Sequence, residues 1–189
     1  MISLYDLFMI PLEKSGIIKA RKELIPKAKG TILEIGSGTG VNIKYYNFDA
    51  VDKLTMTDKK LSKKIRQIAS TGIELIEVNV EELPFLDNSF DYIIHTLVFC
   101  SVSDVNKGIQ ELKRVLKPTG TIMFIEHILP EKKGYKGLFN FVNPAWRRIA
   151  SGCNLNRDYE SSLLANGFKV INSSKFMNTA FVYGEAIIQ

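Results

Sequence analysis

The chain has 189 residues, 46% of them hydrophobic and 24% charged, and its 25 basic against 20 acidic side chains leave a net charge of +5. That length suits one well-buried domain rather than two, and the balance is that of a soluble globular protein. It excludes a membrane span, because no apolar run nears the roughly 18 residues required. It also excludes a dedicated nucleic-acid binder, because no stretch interleaves basic with aromatic residues.

The elements follow in chain order. Residues 3–24 read as a helix with a break or kink at Pro11; Asp6 and Glu13 interrupt its apolar start. That start has neither a basic beginning nor a small-residue cleavage site, so the cytoplasm is the expected location. Residues 31–35 are a short continuous apolar strand, and a short helix is expected from about Val41. Residues 53–57 form a second strand ending at Asp58, 61–70 a basic amphipathic helix, and 73–80 a third strand. A fourth strand spans 90–99. A helix over 105–116 is stopped by Lys117-Pro118-Thr119-Gly120, and 121–125 is the fifth strand.

Residues 137–150 predict an aromatic-rich helix interrupted at Asn143-Pro144, and 157–166 a helix ended by Gly167. Strands over 168–176 and 180–188, joined by Met177-Asn178-Thr179, close the chain as a hairpin. Strands alternating with helices predict a single-domain α/β fold, a doubly wound, Rossmann-like sheet. Seven strands are expected, mostly parallel, with the antiparallel hairpin at one edge. Residues 1–24 are expected to form a helical cap and 134–158 a helical insertion on the substrate side.

The richest stretch is Thr31-Ile32-Leu33-Glu34-Ile35-Gly36-Ser37-Gly38-Thr39-Gly40. An apolar strand runs into alternating glycines, a turn built for close approach of backbone to a ligand. Such a turn lies at the carboxyl end of a strand, where open α/β sheets bind ligands. A dinucleotide fingerprint is spaced G-x-G-x-x-G; here Gly40 arrives one residue early. No nicotinamide rule requires the acid at Glu34, which suits a cofactor with a cationic amino-acid end. Asp58 is placed to accept hydrogen bonds from ribose hydroxyls, or else to cap the following helix. Asn79 and the Val80 N–H, after the third strand, can read an adenine edge, or form an ordinary turn.

With these determinants in order, the chain resembles class I S-adenosylmethionine (SAM) dependent methyltransferases. Glu34-x-Gly36-x-Gly38-x-Gly40 matches the first motif and Asp58 the ribose acid. Leu83-Pro84-Phe85 with Asp87-Asn88-Ser89-Phe90-Asp91, and Arg114-Val115-Leu116-Lys117-Pro118, match two further motifs. Asn79 departs from the aspartate common at the adenine position, and Thr119 replaces a glycine. In the flanks, Tyr5-Asp6-x-x-Met9-x-Pro11, Leu97–Val102, Asn143-Pro144-Ala145-Trp146 and Gly152–Arg157 resemble a branch of small phospholipid, quinone and thiol methyltransferases. The cofactor so implied is SAM. The expected contacts are Tyr5, Glu34, Gly36, Ser37, Gly38, Gly40, Asp58, Lys59, Asn79, Val80, Glu81 and Leu97, with no metal ligand.

The activity implied is methyl transfer to a small, apolar acceptor: a thiol, a lipid amine or a quinone-like ring. A catalytically silent SAM-binding scaffold is the alternative. A sulfonium methyl donor is already activated, so alignment and exclusion of water suffice for a thiolate, whereas a carbon or hydroxyl nucleophile needs a base. His127, at the end of the fifth strand, is the candidate catalytic residue; His95, within the fourth, reads as structural. Tyr5, Phe99, Phe139, Phe141 and Trp146 are core residues or the roof of a pocket. Arg147-Arg148 on an aromatic helix leave open a peripheral membrane contact. Cys100 and Cys153 match no metal spacing and read as reduced thiols.

Overall fold

The computed structural model describes residues 16–69, 72–130, 133–150 and 152–189. Helix α1 (Ile18–Leu24) leads through a 3₁₀ turn at Ile25–Lys27 into β1 (Gly30–Ile35). There follow β2 (Val51–Asp58), α2 (Lys63–Ile68), β3 (Ile73–Glu77), β4 (Phe90–Thr96), α3 (Val105–Val115) and β5 (Leu116–His127). Helices α4 (Lys133–Ile149) and α5 (Tyr159–Ala165) precede β6 (Phe168–Phe176) and β7 (Phe181–Ile188). The seven strands form one sheet in the order β3-β2-β1-β4-β5-β7-β6. All pairs are parallel except those of β7, which runs antiparallel to β5 and β6. This is the predicted architecture.

Alternation along the strands feeds two cores. Leu33, Ile93, Ile122 and Phe124 pack on one face with Ile109, Leu112 and Val115 of α3 and Leu163 of α5. Their neighbours Ile32, Ile94, Met123 and Ile125 pack on the other with Ala20 and Leu24 of α1 and Ile65 of α2. The period of two therefore buries both faces, as a doubly wound sheet requires. Each cap is local: Ser62 accepts from the Ile65 N–H, Asp104 from Lys107, and Asp158 from Ser161. The sheet order reverses at β1, whose neighbours are β2 and β4, and the ligand crevice of such a sheet opens there.

Several boundaries differ from expectation, β3 for one ending at Glu77 and not at residue 80. No α-helix begins at Val41; two 3₁₀ turns, Ile43–Tyr45 and Phe48–Ala50, fill the interval. The side chains of Asn42 and Tyr46 both reach back to Glu34, and that tether sets the local path. Strand β4 stops at Thr96 because Leu97 takes φ +57°. Strand β5 begins at Leu116, so the Lys117-Pro118 turn lies inside it as a register irregularity opposite residues 90–92, where a proline without an N–H is tolerated. Helix α4 runs through Pro144, anchored beside it by Asn143 Oδ1 accepting the Leu155 N–H at 2.7 Å. Of the predicted cap at 1–24, residues 1–15 lie outside the described residues.

Two of the motifs belong to the scaffold. Arg114 donates to the carbonyls of Leu83 and Phe85 and to the carboxylates of Asp87 and Glu111, at 2.7–2.8 Å. Asp91 accepts from Lys117 Nζ at 2.8 Å and from the Thr31 N–H at 2.9 Å. The Arg114 bonds tie α3 to the loop 83–89, and those of Asp91 fix β4 to β1 and β5.

Candidate cofactor cleft

A cleft of about 760 Å³ opens at the carboxyl ends of β1, β2 and β4, within the size range of cofactor sites. Its floor is the turn 35–39, clamped to β2. The Ser37 N–H donates to the Thr57 carbonyl at 2.9 Å, and the Gly38 N–H to Asp58 Oδ2 at 2.8 Å. Ser62 Oγ donates to the Gly38 carbonyl at 2.8 Å.

The glycines differ in their reasons. A Cβ on Gly36 would meet Val98 Cγ2 at 2.3 Å, and one on Gly40 would meet Ile68 Cδ1 at 2.8 Å; one on Gly38 would meet nothing within 4 Å. Only Gly38 faces open space. The other two make room for the protein itself.

Asp58 keeps about half of its acceptor capacity. It accepts the N–H groups of Gly38 and Lys60, two of the roughly four bonds a carboxylate can take. It does not cap α2, since Ser62 does. Glu34 is buried, and its carboxylate accepts from Asn42 Nδ2 at 3.1 Å and from the Tyr46 hydroxyl. Burial pushes its pKa up to about 7, against the pull of those two bonds and the nearby Arg21 charge. Ser37 Oγ and Asn42 Oδ1, both on the cleft wall, are buried without a hydrogen-bond partner. Orphaned acceptors, a carboxyl poised near neutrality and an open glycine fit a ligand with hydroxyls and an ammonium group.

The expected residues separate into groups. Glu34, Gly36, Ser37, Gly38, Asp58, Lys59, Val80 and Leu97 line the cleft. Gly40 shapes the turn from behind. Asn79 and Glu81 do not line it. Asn79 Oδ1 accepts the Glu81 N–H, an Asx turn, and Glu81 Oε1 accepts the N–H groups of Ser103 and Asp104 ahead of α3. Tyr5 lies outside the described residues.

His127 also stands apart. It is buried between Phe139, 5.9 Å away and stacked, and Phe181, 5.1 Å away and edge-on. Burial pulls its pKa down to about 4 against the Glu126 charge, so it is neutral at physiological pH. The terminus of β5 does reach the carboxyl edge, but α4 and β7 cover it there. Phe99 is core, packed on His95 and Tyr159, while Phe141 is 84% exposed.

The wall at 97–99 rests on a polar core that no motif announced. Glu126 Oε1 accepts from Val98 and Phe99 N–H at 3.0 and 3.1 Å and pairs with His95 Nδ1 at 2.8 Å, while His95 Nε2 meets the Tyr159 hydroxyl at 2.7 Å. His95 is thus structural. This network holds Leu97, a residue of the cleft lining, in its left-handed conformation, a strain of about 1–3 kcal/mol for a non-glycine residue. Asn42, Tyr46 and Arg21 were likewise invisible in sequence: no spacing rule links them to Glu34.

Comparison with known proteins agrees with this geometry. A family model described as a methyltransferase domain matches residues 33–124. The human thiol S-methyltransferase TMT1B is 31% identical over 165 residues, covering 79% of this chain and 68% of that protein. Its rat counterpart is 36% identical over 138 residues, covering 68% and 55%. The chain therefore spans little more than half the length of that relative. A SAM-dependent methyltransferase structure from Mesorhizobium loti aligns with a TM-score of 0.73 at 17% identity, over 93% of this chain and 99% of that one, and shares the fold. The chain belongs to the class I SAM-dependent methyltransferase family, and SAM is the cofactor that family implies.

Proposed function

We propose that the protein transfers the methyl group of SAM to a small apolar acceptor, foremost an alkyl or aryl thiol. The observation that carries the reading is the cleft at the β1/β4 switch point, with Glu34 below and Asp58 beside an open Gly38, in a chain related to thiol S-methyltransferases. The cofactor supplies a methyl carbon already activated on a sulfonium. The side chains then have binding and alignment to perform. Asp58 accepts from ribose hydroxyls, Glu34 sets a negative charge against the amino-acid end, and Gly38 lets the backbone approach. Leu97, Val98 and Val102 give an apolar wall that excludes water. Lys59, Lys60 and Arg21 raise the local positive potential, which favours a thiolate over a thiol.

A neutral, enclosed His127 outside the cleft suits this reading better than one needing a general base. The test is turnover with isotopically labelled methyl donor on alkyl thiols, phosphatidylethanolamine and demethylquinones. Labelled thioether is the expected product. Product from the quinone or the lipid alone would move the acceptor class, and none from any would favour a silent SAM-binding scaffold.

The reading also places the protein in the cytoplasm against a membrane surface. Among the described residues no helix is long and apolar enough to cross a membrane. Helix α4 instead exposes Leu138, Phe141 and Ile149 beside Lys136, Arg147 and Arg148. Apolar side chains among cations suit the headgroup boundary of an anionic bilayer. Co-sedimentation with phosphatidylserine vesicles is expected, falling at least tenfold in Phe141→Asp and in the double variant Arg147→Glu, Arg148→Glu. Equal binding by both variants would remove α4 from the contact.

A further inference from the structure

Cys100 and Cys153, the two cysteines of the chain, are remote in sequence and meet in space. Cys100 follows β4, in the segment whose Val98, Ser101 and Val102 wall the cleft. Cys153 lies between α4 and α5, on the insertion expected to face the substrate. The segments are bound side by side. Asn154 donates its backbone N–H to the Cys100 carbonyl at 2.7 Å and its Nδ2 to the same oxygen at 2.9 Å. Arg157 donates to the Phe99 carbonyl. The two thiols are near enough to shift each other's ionisation, and neither is in a disulfide. Cys153 adjoins Asn154, so the two thiols sit on neighbouring backbone segments, the placement that a disulfide between them requires.

The pair is asymmetric. Cys100 is buried, its Sγ on the Leu97 carbonyl and against Ser101 Oγ. Cys153 is only partly buried. Its pKa is lowered to about 7 by the neighbouring Cys100 thiol, by Trp146 and by the Arg157 charge, against burial and the Glu126 charge. The same contact, burial and Glu126 push the Cys100 thiol up. This is the division of labour between an attacking and a resolving cysteine.

We propose that Cys100 and Cys153 are a redox modification site, closing to a reversible intrachain disulfide on reaction with a hydroperoxide. The Cys153 thiolate attacks the distal peroxide oxygen. The O–O bond breaks, Cys153 becomes a sulfenic acid, and the alkoxide or hydroxide leaves with a proton from solvent. The Cys100 sulfur then attacks the Cys153 sulfur, an S–S bond forms, and the sulfenic oxygen departs as water, taking the Cys100 proton. The cysteine pair is oxidised by two electrons and the peroxide reduced by two. The bond fastens the segment carrying Cys153 to the cleft wall, whichever acceptor the enzyme uses.

The experiment treats the reduced 189-residue protein with hydrogen peroxide, then maps peptides without reductant. One cross-linked pair joining Cys100 to Cys153 is expected, lighter by two hydrogen atoms and released by dithiothreitol. Cys100→Ser should leave a dimedone-reactive sulfenic acid on Cys153, and Cys153→Ser an unmodified Cys100. The proposal is overturned if wild-type Cys153 passes to sulfinic acid with no cross-link, if only interchain cross-links form, or if both thiols stay alkylatable. The wild-type peptide map decides this even if a variant fails to fold.

Discussion

Gly36→Ala is expected to destabilise the protein severely, whereas Gly38→Ala leaves it folded but impaired in cofactor binding. Both glycines hold a left-handed backbone, φ +66° and +54°, which costs any other residue about 1–2 kcal/mol. Beyond that they diverge. The methyl at 36 would sit 2.3 Å from Val98 Cγ2, in a wall already pinned by Glu126, and overpacking of that kind costs a further ~1–3 kcal/mol. The sum, about 2–5 kcal/mol, is a large share of the 5–15 kcal/mol of stability typical of a domain (roughly). The methyl at 38 meets no protein atom within 4 Å. It occupies the space left to the ligand, so affinity for S-adenosylhomocysteine should fall at least tenfold, about 1.4 kcal/mol. Urea denaturation and calorimetry separate the two effects. Wild-type affinity in a folded Gly38→Ala variant would mean that the turn does not face the cofactor.

The second large effect is the pH dependence conferred by Glu34. Its pKa is about 7 in the folded protein, where burial raises it, against an ordinary value of 4.5. The folded state thus keeps a proton that the unfolded chain has lost. The group's contribution to folding is full below pH 4.5 and is lost as pH rises through 7. The whole interval corresponds to about 3 kcal/mol. Glu34→Gln removes this dependence, so its stability relative to wild type should improve steadily from pH 5 to pH 8. Cofactor binding should show the opposite preference, because the ammonium of the ligand favours the carboxylate. Wild type should release a proton on binding S-adenosylhomocysteine below pH 7, visible as heats that depend on the buffer, and Glu34→Gln should lose at least tenfold in affinity at pH 8. Binding by wild type with no proton release would take Glu34 out of the ligand's field.

Gly36, Gly38 and Glu34 were legible because the glycine turn and its acid are contiguous, so strand, turn and chemistry share one short signature. Asp58 was legible for a related reason: the end of a parallel strand fixes its side of the sheet. What sits behind them was not. Asn42 and Tyr46 reach Glu34 across two 3₁₀ turns that replaced an expected helix, and Cys100 meets Cys153 only through tertiary folding. Asn79 and Glu81 show the reverse case. Each has a type and position suited to a ligand, yet neighbouring backbone N–H groups engage both side chains first. His127 shows the limit of placing a residue by its strand alone, since what covers a strand end is decided elsewhere in the chain.

The direction of β7 has a geographical meaning. Parallel strands deliver their endings to the rim where the cofactor cleft opens. Strand β7 runs the other way, with Phe181 opposite His127 at the last rung of β5, so it delivers its beginning there. With the opposite polarity, the bend at residues 177–179 would lie about 26 Å away at the far pole, the length of eight extended residues. Reversal instead brings that bend, with three successive left-handed residues, to the same shore as the glycine turn. A segment near the end of the chain thereby shares an edge of the sheet with residues near its start.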